Sequence, residues 1–178
     1  DNDSFDNFYE YSMGIDPLKA SVQGDTYVYD QTIYDVADDD AIDCWDVYDN
    51  IPEGWIDVIT DPNNRENSVV KLSTDGGTKT GFRYTFQIPN VKEFKVQWRM
   101  KYSESCVIYF SCMTTAGHRY IYYDNSDKTN LGIGRYIHHG LDKKVTNGEW
   151  AIVQRDLQRD LLEAQPGNKI ISINAFLI

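Results

Sequence analysis

From Thr26 to Ile178 the chain is interrupted every few residues by turn formers, and that punctuation restricts it to short extended segments. The separators are Pro52-Glu53-Gly54, Asp61-Pro62-Asn63-Asn64, Asp75-Gly76-Gly77, Pro89-Asn90, Ala116-Gly117 and Asn147-Gly148. Between them lie the runs Thr26–Tyr34, Trp55–Thr60, Ser68–Ser73, Phe82–Ile88, Phe94–Tyr102, Cys106–Met113, Arg119–Tyr123, Trp150–Gln154 and Ile170–Ile178. Flat and branched side chains pack well on a pleated surface, and short strands at this spacing signal a β-sandwich or barrel. With 41% apolar and 13% aromatic residues, most of the latter Tyr, the chain has the material for a core.

Alternation is clearest at Phe94-Lys95-Val96-Gln97-Trp98-Arg99-Met100-Lys101, where apolar and polar residues take turns. That pattern is an antiparallel strand with one buried and one wet face. The run Cys106 to Cys112 is apolar almost throughout and predicts a central strand covered on both sides. One helix is expected from Arg155 to Gln165, with Leu157, Leu161 and Leu162 at helical spacing and Pro166-Gly167 as its stop. A final strand then closes one edge of the sandwich. Cys106 and Cys112 are roughly 20 Å apart in an extended strand and cannot pair with each other. Cys44 can pair with either, or all three can be buried thiols.

The net charge of −11 is unevenly placed: from Asp1 to Glu66 the only basic residues are Lys19 and Arg65. Such a balance excludes a nucleic-acid partner, which needs clustered Lys and Arg, and an anionic membrane surface. No apolar run is long enough to insert as a membrane helix. Residues 1–22 differ in character from the rest, so the chain divides into an acidic segment, 1–22, and a body, 23–178. Asp1 begins in mid-pattern and Ile178 falls inside an apolar run, which reads as a mature or excised fragment.

The acidic segment has the spacing of a calcium loop. Such loops take oxygen ligands at positions 1, 3, 5, 7, 9 and 12, with a backbone carbonyl at 7 and a bidentate Glu at 12. With Asp1 at position 3, Asp3 falls at 5, the Phe5 carbonyl at 7, Asn7 at 9 and Glu10 at 12. Position 1 would lie upstream, and Ser4 stands where such loops use Gly. The continuation Glu10-Tyr11-Ser12-Met13-Gly14-Ile15-Asp16-Pro17-Leu18 resembles the close of an Asp-rich calcium repeat of the thrombospondin type 3 kind, over residues 1–18. A solvated acidic tail is the plainer alternative. Asp38, Asp39 and Asp40, with Asp43, form a second cluster that either holds a calcium ion in a loop or is an exposed turn.

A second resemblance spans most of residues 30–178. Its residues are Ala37 to Asp40, Trp45-Asp46-Val47-Tyr48-Asp49 and Ser68 to Leu72. They continue with Gly117-His118-Arg119-Tyr120, His138-His139-Gly140-Leu141, Gly148-Glu149-Trp150, Arg155-Asp156-Leu157, Asp160-Leu161 and Asn174 to Ile178. Together they resemble a secreted bacterial jelly-roll module of the carbohydrate-binding kind. The resemblance implies an all-β fold, an antiparallel β-sandwich (jelly roll) with one short helix before the last strand, and a polysaccharide or other glycan as partner. Sugar sites need aromatic platforms and planar hydrogen-bonding groups. Gln97, Arg99, Tyr109, His118, Tyr120 and Tyr122 are the candidates, with an Arg suited to a uronate or sulfate; the same tyrosines also fit core or edge packing.

Other motifs point to structure. His138 and His139 are adjacent in a strand, so they face opposite ways and do not chelate one ion. Arg155-Asp156 and Arg159-Asp160 repeat four apart and are expected as surface ion pairs along the helix. Glu93, Glu104 and Glu149 sit at turns rather than across a cleft as a glycosidase pair would, and no nucleophile elbow, phosphate loop or zinc-protease motif occurs. The expected function is therefore a non-catalytic, secreted or cell-surface binding module for a polysaccharide, with a calcium-stabilised N-terminal segment. The alternative is a structural subunit or spacer of an adhesin, sheath or filament, assembling through calcium with copies of itself or with neighbouring surface-protein domains.

Overall fold

Side chains that alternate along a strand must also line up across strands, and here they do so in complete rows. The computed structural model describes residues 41–49, 53–76, 80–132 and 134–178, all inside a unit that spans residues 34–178. The candidate ligands Asp1, Asp3, Phe5, Asn7, Glu10, Asp38, Asp39 and Asp40, the boundary at residue 22 and the strand at Thr26–Tyr34 lie outside the described residues.

Ten strands are described: β1 (Trp45–Tyr48), β2 (Gly54–Asp61), β3 (Asn64–Thr74), β4 (Gly81–Asn90), β5 (Lys95–Lys101), β6 (Val107–Thr114), β7 (Gly117–Asp124), β8 (Tyr136–Gly140), β9 (Trp150–Asp156) and β10 (Ile170–Leu177). Helix α1 (Leu157–Ala164) sits between the last two. Six strands form one sheet in the order β1-β4-β10-β6-β7-β8, while β2-β3 and β5-β9 pair separately. The chain is thus an all-β sandwich with one short helix before its final strand.

In the large sheet the row Trp45, Tyr84, Phe176, Phe110, Ile121, Ile137 is in direct register across all six strands. It looks inward. One residue along each strand, the row Asp46, Arg83, Leu177, Tyr109, Tyr122, His138 looks outward. The second layer meets the inner face: Val96, Trp98 and Met100 on β5, with Phe94 just before it, and Leu157, Leu161 and Ala164 on α1, pack against Ile108, Phe110, Cys112, Ile121 and Ile173. Trp98 lies against Phe110 and Phe176 at ring separations of 5.6 and 6.1 Å. Burying rings of this size dominates the energetics of a small core.

Turn chemistry positions the strands. Between β6 and β7, Gly117 takes φ +88°, a value most L-residues avoid, and its carbonyl accepts a 2.6 Å bond from Thr114 Oγ1. After β4, Asn90 Oδ1 accepts from the backbone N–H of Lys92 and Glu93, bending the chain towards β5. The ring of Tyr48 lies so close over Gly81 that any Cβ there would collide with it.

Four features differ from the sequence expectation. First, β6 is not covered on both sides: its residues alternate between buried and partly exposed, with Val107 and Met113 in solvent. Val107, Tyr109 and Met113 fill outward positions and give the run its apolar look. Second, β10 does not close an edge. It lies between β4 and β6, hydrogen-bonded on both sides, so the terminal run offers no free strand for assembly. Third, β8 runs parallel to β7 in an otherwise antiparallel set. Fourth, α1 begins at Leu157, because Asp156 stays extended and caps it by accepting from the backbone N–H of Arg159. All three thiols are free.

Candidate functional site

Period two along β6, β7 and β8 gathers the tyrosines. Tyr109 on β6, Tyr122 on β7 and His138 on β8 form one outward rung; Ser111, Tyr120 and Tyr136 form the next. Tyr120 stacks on Tyr136 with centroids 5.2 Å apart and planes 14° from parallel. Tyr122 stacks on His138 at 4.8 Å and tilts against Tyr109 at 5.3 Å. Rings in such a ladder use their faces on one another. Tyr136 is the exception: it stands on an edge strand and is 54% exposed, leaving one ring face for a ligand. Tyr48 reaches the same side, and its phenol is pushed up to about 12 by burial, then by Tyr109, Asp49 and Tyr120.

Beside the tyrosines stands a polar arm. His118 Nε2 lies 2.8 Å from Ser111 Oγ, and Nδ1 faces Arg135 Nε and Nη2 at 3.4 and 3.3 Å. A guanidinium only donates, so Nδ1 accepts and the ring proton sits on Nε2, directed at Ser111. Arg135 in turn rests over the Tyr120 ring at 5.6 Å. Burial, then the charges of Arg135 and Arg119, hold His118 below its ordinary 6.5. The unfolded chain therefore takes a proton that the folded arm refuses, and stability falls as pH drops from 6.5 through the lower folded value. Thermal melts between about pH 7 and pH 5 are expected to show a falling midpoint, with a shallower fall in His118→Gln. Equal slopes in the two proteins would mean that His118 carries no linked proton.

Gln97 and Arg99 do not join this face. They lie on the outward side of β5, in the layer that covers the opposite face of the large sheet, because Val96, Trp98 and Met100 point into the core between the two layers. Gln97 accepts from Gln154 at 2.6 Å. Arg99 stacks on Trp150 at 4.1 Å and pairs at 3.5 Å with Asp61, whose side chain is fully enclosed. Asp61 also accepts from Asn63 N, Asn67 Nδ2 and Trp150 Nε1. Hydrogen bonds, led by that from Asn63, lower its carboxyl despite burial. These groups fasten the β2–β3 turn to the β5–β9 pair.

His138 and His139 face opposite ways as alternation requires. His138 Nε2 lies 3.0 Å from Asp124 Oδ1, out of line for a straight hydrogen bond, while Nδ1 accepts from the Asn130 backbone. Burial raises the Asp124 carboxyl, but the hydrogen bonds from Ser126 and the nearby His138 ring outweigh it and leave the group lowered. His139 is enclosed, with Nε2 at 3.1 Å from the Asp160 carbonyl. Its Nδ1 lies 3.9 Å from Glu163.

His139, Asp160 and Glu163 are the one set of possible metal ligands drawn together among the described residues. Both carboxylate oxygens of Asp160 are already bound by Arg155, at 2.9 and 2.6 Å, and Tyr123 also donates to it. A cation there would face a guanidinium. The expectation that Arg155-Asp156 and Arg159-Asp160 form surface ion pairs along the helix is corrected for Asp160, which turns inward to Arg155, while Arg159 makes a surface pair with Glu163 at 3.5 Å. Burial pushes the Cys112 thiol up to about 12 and, with Asp124, that of Cys106 to about 11, so neither is a ready nucleophile.

Tyr109, His118, Tyr120 and Tyr122 thus lie on one outer face: period two puts the last three on one side of β7, and strand register sets Tyr109 beside them. Sequence reading missed Arg135 and Tyr136. The signal was the short alternation Tyr136-Ile137-His138-His139 before Gly140, too brief to stand out as a strand. No known protein family matches the chain, and a search of curated proteins finds no relative.

Proposed function

We propose that this chain is a non-catalytic extracellular binding module that takes a polysaccharide on the tyrosine-lined outer face of its large sheet. The observation carrying the reading is the ladder of Tyr109, Tyr120, Tyr122 and Tyr136 beside His118 and Arg135. Pyranose rings offer an apolar face and a rim of hydroxyls. The open side of Tyr136 suits the first, and the row of phenol, imidazole and guanidinium groups suits the second. The resemblance to secreted jelly-roll modules of the carbohydrate-binding kind supports the same assignment. Calcium is proposed for the aspartate-rich N-terminal segment, where it would order the chain ahead of the sandwich.

Affinity electrophoresis through gels carrying different polysaccharides, with and without chelator, tests the proposal. Tyr136→Ala removes an exposed ring, leaves the core intact, and is expected to weaken retention about tenfold, the equivalent of ~1.4 kcal/mol. Gln97→Ala is expected to bind as wild type, since it lies on the other layer. Retention by no polysaccharide, or a larger loss from Gln97→Ala than from Tyr136→Ala, would end this reading.

A further inference from the structure

We infer that the glycan is acidic, and that Arg135 holds its carboxylate or sulfate group on the rung formed by Tyr120 and Tyr136; this rests on the reading that the tyrosine face binds a glycan.

The first ground is charge. Arg83, Arg99, Arg155 and Arg159 each have a carboxylate partner. Arg135, exposed just before β8, contacts the His118 imidazole and the Tyr120 ring and has no acid beside it among the described residues. In a chain with a net charge of −11, a guanidinium left without a counter-ion amid an aromatic face is out of keeping with its surroundings. Two acids on the outer face are committed elsewhere: Asp46 to Arg83, and Asp124 to Ser126 with His138 beside it.

The second ground is geometry. His118 occupies the Nε and Nη2 side of the guanidinium, which leaves the two Nη groups to present a parallel pair of N–H donors. That fork matches the two oxygens of a carboxylate or sulfate. Tyr120 supports the plane from below, and Ser111 fixes the imidazole that fixes the arginine. The arm is therefore held before any ligand arrives, which reduces the ordering cost of binding. Arg119 adds positive potential near His118 from the inner side, where it is bound to Gln165 and the His118 carbonyl.

The third ground is spacing. Tyr136 stacks on Tyr120 and Arg135 rests by the same Tyr120 ring, so the exposed ring and the fork belong to one outer face. A neutral glucan would use the tyrosine face and leave the guanidinium idle.

The test is a binding panel of a neutral β-glucan and xylan against polygalacturonate and alginate as uronates, and chondroitin sulfate as a mixed sulfate and uronate. Measurements use the full chain at low and moderate salt. Preference for acidic polymers that weakens with salt is expected. Arg135→Ala should lower that affinity about tenfold or more, with the melting curve unchanged and neutral binding untouched. Arg135→Lys, which keeps charge and loses the fork, should recover only part of the loss. Lys144→Ala, which removes an exposed cation elsewhere, should bind as wild type. Binding to the uronates alone identifies a carboxylate, and binding confined to the sulfated polymer a sulfate. Equal affinity for neutral and acidic polymers, or full acidic binding by Arg135→Ala, overturns this inference and leaves the glycan reading standing. Binding to none of the polymers overturns both.

Discussion

Asp160→Ala is expected to destabilise the fold by about 3–5 kcal/mol, lowering the melting midpoint by roughly 10 °C for a domain of this size. Asp160 is 4% exposed on α1. Its carboxylate accepts from Nε and Nη2 of Arg155 and from the Tyr123 hydroxyl, while Arg155 lies over the Tyr123 ring at 5.1 Å. Burial, then the charge of Asp160, raises the Tyr123 phenol well above its ordinary value, so it stays protonated and donates. Deleting the carboxylate leaves a largely enclosed guanidinium without its counter-ion and a buried hydroxyl without its acceptor. Both costs fall on the seam between α1, β7 and β9. Replacing the pair together, Arg155→Met with Asp160→Leu, is expected to restore much of the loss, because apolar residues need no compensating charge. Urea or thermal denaturation followed by circular dichroism reads each value. A cost below about 1 kcal/mol for Asp160→Ala would place the carboxylate in water and refute the buried network.

Phe110→Ala is expected to cost about 3–5 kcal/mol as well, through lost burial and the cavity left behind. Phe110 is 3% exposed and meets Phe176 at 5.3 Å, Trp98 at 5.6 Å and Tyr123 at 6.3 Å. It therefore joins two strands of the large sheet to the covering β5 strand. Tyr109, its chain neighbour, faces outward, and Tyr109→Ala is expected to cost about 1 kcal/mol or less, the scale of a cross-strand pair. Chemical denaturation of the two variants compares adjacent residues on opposite faces of one strand. Similar losses from both would mean that β6 is enclosed on each side, contrary to a layering in which only its inner face is covered.

Which parts of the fold were legible depends on which interactions are local. Alternation in Phe94 to Lys101 predicted β5 and its buried face, and the pattern from Leu157 to Gly167 predicted a helix stopped before the last strand; both are in place. The short runs β1 and β8 carried too few residues to register, although both are sheet edges and β8 bears Tyr136 beside Arg135. The apolar look of β6 misled because tyrosines serve equally at a core or on an outer face.

The candidate site divides along the same line. Period two put His118, Tyr120 and Tyr122 on one side of β7 from the sequence alone, and cross-strand register added Tyr109. Periodicity also separated Gln97 and Arg99 from the apolar side of β5, but it could not say that β5 covers the opposite face of the large sheet. That depends on Trp98 packing against Phe110 and Phe176, residues distant in the chain. Nor could spacing foresee that Arg155 would reach Asp160, since the choice between a surface pair and a buried one is made by how α1 rolls onto β7 and β8. Within each strand, the alternating directions of successive side chains determined which residues travel together. The tertiary structure decided which of those sets meet, because strand order and layer contact are chosen by burial over long chain separations that no local pattern encodes.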